Sequence, residues 1–239
     1  MSHNKNTVKK LSNREFSVDY IDVADLSGAG QSNCYQQRIM EGHPIGQFYT
    51  WEWAGYNEDG VSVFYVHDPE TGERTGETTT TPTQDDRACT GSAQPKFTLG
   101  WSNTLTYKKF SLTAFFQGSF GNKIMNGTKA RLSNIADAGI RNWVTSFPEE
   151  NLPTDFNSHY LSDRYIEDGS YLRLSNLSLS YDFGNIGKWI SNLRVSATCN
   201  NLFTITGYSG IDPEVNLGGL TPGIDNRNTY PRTRTYMLA

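Results

Sequence analysis

Two neighbouring stretches of eleven residues, FTLGWSNTLTY (Phe97–Tyr107) and FSLTAFFQGSF (Phe110–Phe120), constrain the fold of this chain more than any other part of it. In the first, Phe97, Leu99, Trp101, Leu105 and Tyr107 share one face, with Asn103 the exception. Thr98, Gly100, Ser102, Thr104 and Thr106 share the other. In the second, Phe110, Leu112, Ala114, Phe116 and Phe120 oppose Ser111, Thr113, Gln117 and Ser119, with Phe115 out of pattern. Alternation at period two marks a strand with one apolar and one polar face. Only Lys108 and Lys109 separate the two, which predicts a β-hairpin. Lys-Lys is not a preferred pair for a two-residue turn, so the turn is expected to take in its neighbours.

The same alternation returns in YLRLSNLSLSYDF, residues 171–183, with one slip of phase. Leu172 and Leu174 lie on one face, and Leu177, Leu179, Tyr181 and Phe183 are in register only after a shift. A bulge near Ser175-Asn176 explains the slip; so does a strand that leaves a bilayer and changes neighbours. GNIGKWISN then reads as a short turn. LRVSATCNNLFTIT, residues 193–206, sets Leu193, Val195, Ala197, Cys199, Phe203 and Ile205 against Arg194, Ser196, Thr198, Asn200 and Thr204. Residues 121–169 and 207–228 are long polar stretches without a clear period. Nearer the N-terminus, REFSVDYIDV is a strand candidate, and GHPIGQFYTWEWAGYNEDGVSVFYVHD reads as strands with a turn at 57–60. The Thr-rich DPETGERTGETTTTPTQDDRA reads as a loop.

These patterns make the chain all-β and leave one question: does the apolar face meet a second sheet or lipid? The connections alternate short, long, short, long, which a soluble sandwich gives no reason to expect. Transmembrane barrels have short periplasmic turns and long extracellular loops. Strands of about eleven residues also suit a tilted bilayer crossing. Aromatic residues sit at both ends of the two best strands, as paired interfacial girdles would. A mean hydropathy of −0.57 is compatible, because barrel strands are apolar only at alternate positions. No apolar run reaches the length of a transmembrane helix. The net charge of −4 and the lack of a basic stripe argue against a nucleic-acid partner. Lys5, Lys9 and Lys10 form a short cluster that reads as a solvated terminus. MSHNKNTVKKLSN has no apolar core, so it does not read as a signal peptide.

Several residues invite a chemical reading. Cys34, Cys89 and Cys199 form no CxxC pair; a Cys34–Cys89 bridge and three free thiols are both open. His3, His43, His67 and His159 lack metal-ligand spacing. Asp168-Gly169-Ser170 fails as a calcium loop, because Arg164 and Ile166 fall where ligands would be needed, and Asn57, Asp59 and Gly60 fail likewise. Ser209 in GYSGI does not satisfy a nucleophile elbow, and Gly28-Ala29-Gly30 lacks the third glycine of a dinucleotide fingerprint. Trp51, Trp53 and Tyr56 could stack on a sugar or peptide beside Glu52 and Asn57, although girdle or loop packing is the commoner role of such residues. Arg164, Arg173 and Arg194 could line a lumen, although such residues more often pair with acids across strands. No catalytic residue, metal ligand or cofactor site is expected.

The strings EGHPIGQFYTWEWAGYNEDG, GSAQPKFTLGWSNTLTYKKFSLTAFFQGSFGNKI, RYIEDGSYLRLSNLSLSYDF, NNLFTITGYSGIDPEV and YPRTRTY occur in that order. Together they resemble the C-terminal part of the SusC/RagA family of TonB-dependent outer-membrane transporters, from about Asn4 to the end. EDGSYLRL, NNLFTITGYSGIDPE and YPRTR are specific in combination. The resemblance implies the last strands of a 22-stranded antiparallel barrel in the outer membrane of a Gram-negative bacterium. It implies uptake of a glycan or peptide nutrient, with a SusD-like surface lipoprotein outside and TonB supplying energy from the inner membrane. It makes residues 1–239 a C-terminal barrel segment without plug or signal peptide, not expected to transport alone and not expected to be an enzyme. The family pattern continues beyond YPRTRTY to a terminal aromatic residue, so the last strand is expected to be truncated at Ala239. Residues 177–183 then turn their apolar side chains to lipid, and Asn176, Ser178, Ser180 and Asp182 face the lumen. A soluble β-sandwich that grips carbohydrate is the alternative. A β-rich glycan enzyme is a third, with Glu167 and Asp168 as unselected carboxylates.

Overall fold

The computed structural model describes residues 1–28, 31–133, 139–140, 142–143, 161–215, 218–226 and 230–239. Fifteen strands follow one another among the described residues. The first seven are β1 (Tyr20–Asp25), β2 (Tyr35–Met40), β3 (Gln47–Trp51), β4 (Trp53–Tyr56), β5 (Ser62–His67), β6 (Arg74–Thr79) and β7 (Arg87–Ser92). The long strands β8 (Phe97–Tyr107) and β9 (Phe110–Phe120) come next, then β10 (Lys123–Asn126), helix α1 (Gly127–Leu132) and β11 (Ile166–Asp168). The chain closes with β12 (Tyr171–Ile186), β13 (Ile190–Thr206), β14 (Ile224–Asp225) and β15 (Thr235–Leu238).

The principal sheet has the order β15-β13-β12-β9-β8, with every neighbour antiparallel. Ser2 bridges to Thr98 beyond β8. Register places the apolar residues in continuous rows. Leu105 opposes Leu112, Leu112 opposes Leu179, and Leu179 opposes Ala197. The phase slip is a bulge: both partners of β12 shift register between Leu174 and Asn176. Ser175 absorbs the extra residue, so Leu174 and Leu177 reach the same face. The aberrant Phe115 sits on the polar face, where its ring lies over Gly100.

Three expectations about connections are corrected. The β8–β9 turn takes in no neighbours: Tyr107 pairs with Phe110, and Lys108 adopts a left-handed φ of 55°. The continuous pairing of eleven residues on each side outweighs the poor turn propensity of lysine. GNIGKWISN is mostly strand, because Ile186 pairs with Ile190 and only residues 187–189 turn, with Gly187 at φ 63°. The Thr-rich stretch is not all loop: β6 pairs with β5. Its exposed, polar character is that of an edge strand, which sequence composition disguises. Residues 121–169 likewise hold β10, α1 and β11, all too short to declare a period.

The smaller sheets are β1-β2-β3-β7, β4-β5-β6 and β11-β10-β14. In the last, β10 and β14 run parallel, an exception to the expected antiparallel pairing. Packed hydrophobic clusters lie here, on the loop side of the molecule. Leu26, Phe48, Ala93, Met125, Ala130 and Tyr165 form one, and Ile124, Tyr208 and Val215 a second. The principal sheet is different. Trp101, Leu105, Tyr107, Phe110, Leu179, Phe183, Val195, Tyr236 and Leu238 all remain exposed. A soluble sandwich would cover such a face with a second sheet about 10 Å away. Among the described residues nothing does so, which argues against the sandwich alternative.

Candidate functional site

The two faces of the principal sheet differ in chemistry. On the apolar face, aromatic rings gather at both ends. Phe97 stacks on Phe120 and Trp101 on Phe116, with centroids 4.7 and 5.4 Å apart. At the turn end, Phe110, Tyr181 and Phe183 form an edge-to-face ladder, each step 4.6 Å. Leucine, alanine and valine fill the interval. Ten residue steps from Phe97 to Tyr107 span about 33 Å along the strand, or about 23 Å across a bilayer at a tilt near 45°. That matches the apolar band of about 25 Å on membrane barrels.

The opposite face carries hydrogen-bonded polar pairs. Thr104 and Thr113 hydroxyls lie 3.2 Å apart, and those of Ser178 and Thr198 lie 2.9 Å apart. Asn176 donates to Asn200 at 2.8 Å, and Arg194 pairs with Asp182 at 3.3 Å. The chain after β13 folds back over this face. Arg173 reaches it from β12 and donates to Asp212 at 2.6 Å, to Glu214 at 2.9 Å and to Thr204 at 2.9 Å. Glu214 also accepts from Gln117 on β9 and from Arg232. Burial opposes ionisation of Asp212, but the Glu214 amide and the Arg173 guanidinium outweigh it and hold the carboxyl below its usual range. A cleft of about 320 Å³ lies beside this network, lined by Arg173, Asn201, Asp212, Arg232 and Arg234 among others.

A second tie joins the same strings. Glu167 accepts from the backbone and hydroxyl of Ser209 at 2.8 and 2.7 Å, and Lys129 lies 3.5 Å from it. Tyr208 donates to Asp225 at 2.8 Å, and burial beside that carboxylate drives the phenol well up. Asp168 caps its own turn, accepting from the amide and hydroxyl of Ser170. Gly169 is required by close approach: a Cβ there would meet Asn122 Nδ2 at 2.5 Å and Ile124 at 2.6 Å. Gly169→Ala is therefore expected to destabilise the protein by about 1–3 kcal/mol, read as a lower denaturation midpoint. Glu167 and Asp168 thus hold backbone in place.

The three loop aromatics do not form one platform. Trp53 and Tyr56 meet edge to face at 5.3 Å, and the Arg164 guanidinium lies 4.9 and 5.0 Å from their ring centres. Trp51 stands apart, its ring tilted against Phe64 and its indole N–H donating to the Thr83 carbonyl. It lines a cavity of about 260 Å³ with Gln31, Ser32, Asn33, Cys34, Gln84 and Leu161. Nearby, Glu52 accepts from Arg74, which holds its carboxyl down, and from His67 at 3.2 Å.

Asp163 accepts from the Trp53 amide at 2.8 Å. Burial pushes its carboxyl up to about 6, against the pull of that hydrogen bond. A raised folded value means the contribution to stability is full below the unfolded value near 3.9 and is lost as pH rises through about 6. Asp163→Asn keeps the acceptor and removes the charge. It is expected to melt higher than the parent at pH 7 and equally at pH 4, in parallel thermal unfolding.

All three cysteines are free thiols, which leaves no Cys34–Cys89 bridge. No group of three or more His, Cys, Asp and Glu side chains among the described residues could hold a metal. His159, Ala29 and Gly30 lie outside the described residues. No described helix is long and apolar enough to cross a membrane, which leaves crossing by strands untouched. Of the three arginines expected to pair with acids across strands, Arg194 does so with Asp182, Arg173 pairs with the loop acids Asp212 and Glu214, and Arg164 lies over the Trp53 and Tyr56 rings. Sequence reasoning missed the partners of Arg173, although the charges within GIDPEV and YPRTR, close to largely neutral strands, were the available signal.

A sheet bare and apolar on one side, polar and overlaid by its own loops on the other, has the construction of a transmembrane β-barrel wall. Comparison with known proteins refines this class. No protein-family model matches the chain. It is 32% identical to the TonB-dependent receptor P3 of Formosa agariphila, over 99% of this chain and 25% of that protein. It is 26% identical to the TonB-dependent receptor SusC of Bacteroides thetaiotaomicron, over 98% of this chain and 23% of the relative. The solved RagAB peptide importer in its closed-closed state superposes with a TM-score of 0.74 at 24% identity, over 99% of this chain and 26% of that one. The chain spans about a quarter of the length of these curated relatives. Along nearly its whole length the chain is similar to part of these TonB-dependent receptors.

Proposed function

We propose that this chain supplies the C-terminal wall and outer loops of an outer-membrane importer that takes up a glycan or peptide nutrient. The observation that carries this reading is the contrast between the two faces of the principal sheet. Lipid covers the row from Leu105 through Leu112 and Leu179 to Ala197, and the polar face lines the lumen. The loop held by Arg173 narrows that lumen on the outer side. A SusD-like lipoprotein captures nutrient outside, and TonB drives uptake through a plug domain. The work is binding and passage, with no covalent step.

Within the loops, Trp51 is the residue we assign to nutrient contact. Its cavity of about 260 Å³ suits one sugar ring or one side chain, with Gln31, Asn33 and Gln84 as hydrogen-bonding neighbours. Trp53 and Tyr56 hold the adjoining loop through Arg164. The test is growth of a strain lacking the full-length gene on a panel of single glycans and peptides. Restoring the gene should restore growth on at least one of them. Trp51→Ala should raise the half-saturating concentration about 3–10-fold, the worth of one aromatic contact. Unimpaired growth of the deletion strain on every member of the panel would overturn the reading.

A further inference from the structure

The turn end of the principal sheet carries charge as well as aromatic rings. Residues 97–120 contain no Asp or Glu, and their only charges are Lys108 and Lys109 at the hairpin tip. Residues 171–206 contain one acid, Asp182, which is paired with Arg194. Lys188 sits in the second tip. The first tip lies against β12, short of the second: the Asp182 amide donates to the Lys109 carbonyl at 2.9 Å and Lys109 Nζ lies 3.4 Å from the Phe183 carbonyl, while the second hairpin runs on to its turn at 187–189. At the loop end acids and bases occur together, Asp212 and Glu214 with Arg173 and Arg232, and Glu167 with Lys129. The turn end has the three lysines and Arg194 against the single acid Asp182, an excess of basic charge.

Lys109 lies at the Phe110, Tyr181 and Phe183 ladder, and the Lys108 ammonium lies 5.3 Å from the Tyr107 ring centre. Tyr107 is 70% exposed and Trp189 is 96% exposed, so neither is engaged in packing the protein. Aromatic rings favour the boundary between acyl chains and headgroups. Lysine stems extend along apolar surface and place the ammonium in the headgroup layer. Resting on the barrel reading above, we propose that the two hairpin tips form a docking surface for anionic phospholipid headgroups. Lys108, Lys109 and Lys188 meet the phosphates, and the aromatic ladder lies beneath them at the acyl boundary. Charge complementarity selects this occupant: Asp182, already paired with Arg194, is the one acid of the two hairpins, so an uncharged surface would leave the three lysines short of counter-charge.

The test uses the full-length protein purified in detergent and supplied with equal phosphatidylglycerol and phosphatidylcholine at low ionic strength. Retained lipids are counted by native mass spectrometry. Each lysine near an anionic surface is worth about a fivefold preference. The parent should retain phosphatidylglycerol over phosphatidylcholine at least about tenfold, and Lys108→Gln/Lys109→Gln/Lys188→Gln should lose most of that preference. Lys5→Gln/Lys9→Gln/Lys10→Gln makes the same change in net charge and should keep it. Heat-dependent gel migration confirms that each variant is folded. A parent without preference, or a triple tip variant that keeps it, overturns the proposal. Failure of the barrel reading would look different: the protein would stay folded and monodisperse with no amphiphile present.

Discussion

Arginine in place of Leu179 is expected to destabilise the membrane-embedded protein by about 2–4 kcal/mol, the depth-dependent cost of a charge on the lipid face of a barrel. Leu179 lies mid-strand on the apolar face, opposite Leu112 on one side and Ala197 on the other. It is 47% exposed, so arginine meets no steric obstacle there and the cost comes from its surroundings. The neighbouring Ser178 faces the other way, with its hydroxyl 2.9 Å from Thr198. Ser178→Arg should cost no more than about 1 kcal/mol, the loss of one neutral hydrogen bond in a wet lumen. Equilibrium unfolding of the full-length protein in lipid vesicles measures both. In a soluble sandwich the two costs would not separate in this way.

Replacing Arg173 by Met has the second large effect, and the physics is different. The Arg173 side chain is only 3% exposed and that of Asp212 only 7%. Removing one partner of a buried ion pair leaves an uncompensated charge and costs about 3–5 kcal/mol. Here Asp212 loses the Arg173 counter-charge, and Glu214 keeps Arg232 and the Gln117 amide. Arg173→Lys should recover little, because one ammonium cannot reproduce the guanidinium fork that spans Asp212, Glu214 and Thr204. The loss should be local. Amide exchange should accelerate across residues 207–215 and leave the β8–β9 hairpin unchanged. Asp212 adds a pH arm: with its folded value lowered, its contribution is present above the unfolded value near 3.9 and is lost on acidification through the folded one.

The long strands were legible because their alternation is sustained. Eleven residues with one exception on the apolar face leave a single register in which leucine meets leucine. Even the bulge at Ser175 could be placed, since the alternation holds on both sides of it in 171–183 and one extra residue restores the phase. The loop side was not legible in the same way. β10, β11 and β14 have four, three and two residues, and β10 pairs with β14 across about a hundred positions of chain. No local period can announce such a sheet. The strings that carried the family resemblance gain a physical reason only in three dimensions. EDGSYLRL brings Glu167 and Arg173, GYSGIDPEV brings Ser209, Asp212 and Glu214, and YPRTR brings Arg232, and these side chains bond to one another. The aromatic cluster was legible as residues but not as an arrangement, because Arg164 lies more than a hundred positions from Trp53 and Tyr56.

The central claim is that one face of the principal sheet meets lipid and the other does not. A fluorophore attached to a cysteine at position 179 or at position 178 tests it most directly. The full-length protein, with its native cysteines replaced, is placed in vesicles whose acyl chains carry bromine. Strong quenching at 179 and little at 178 is the result this account predicts. Equal quenching at the two positions, or none at either, would contradict it.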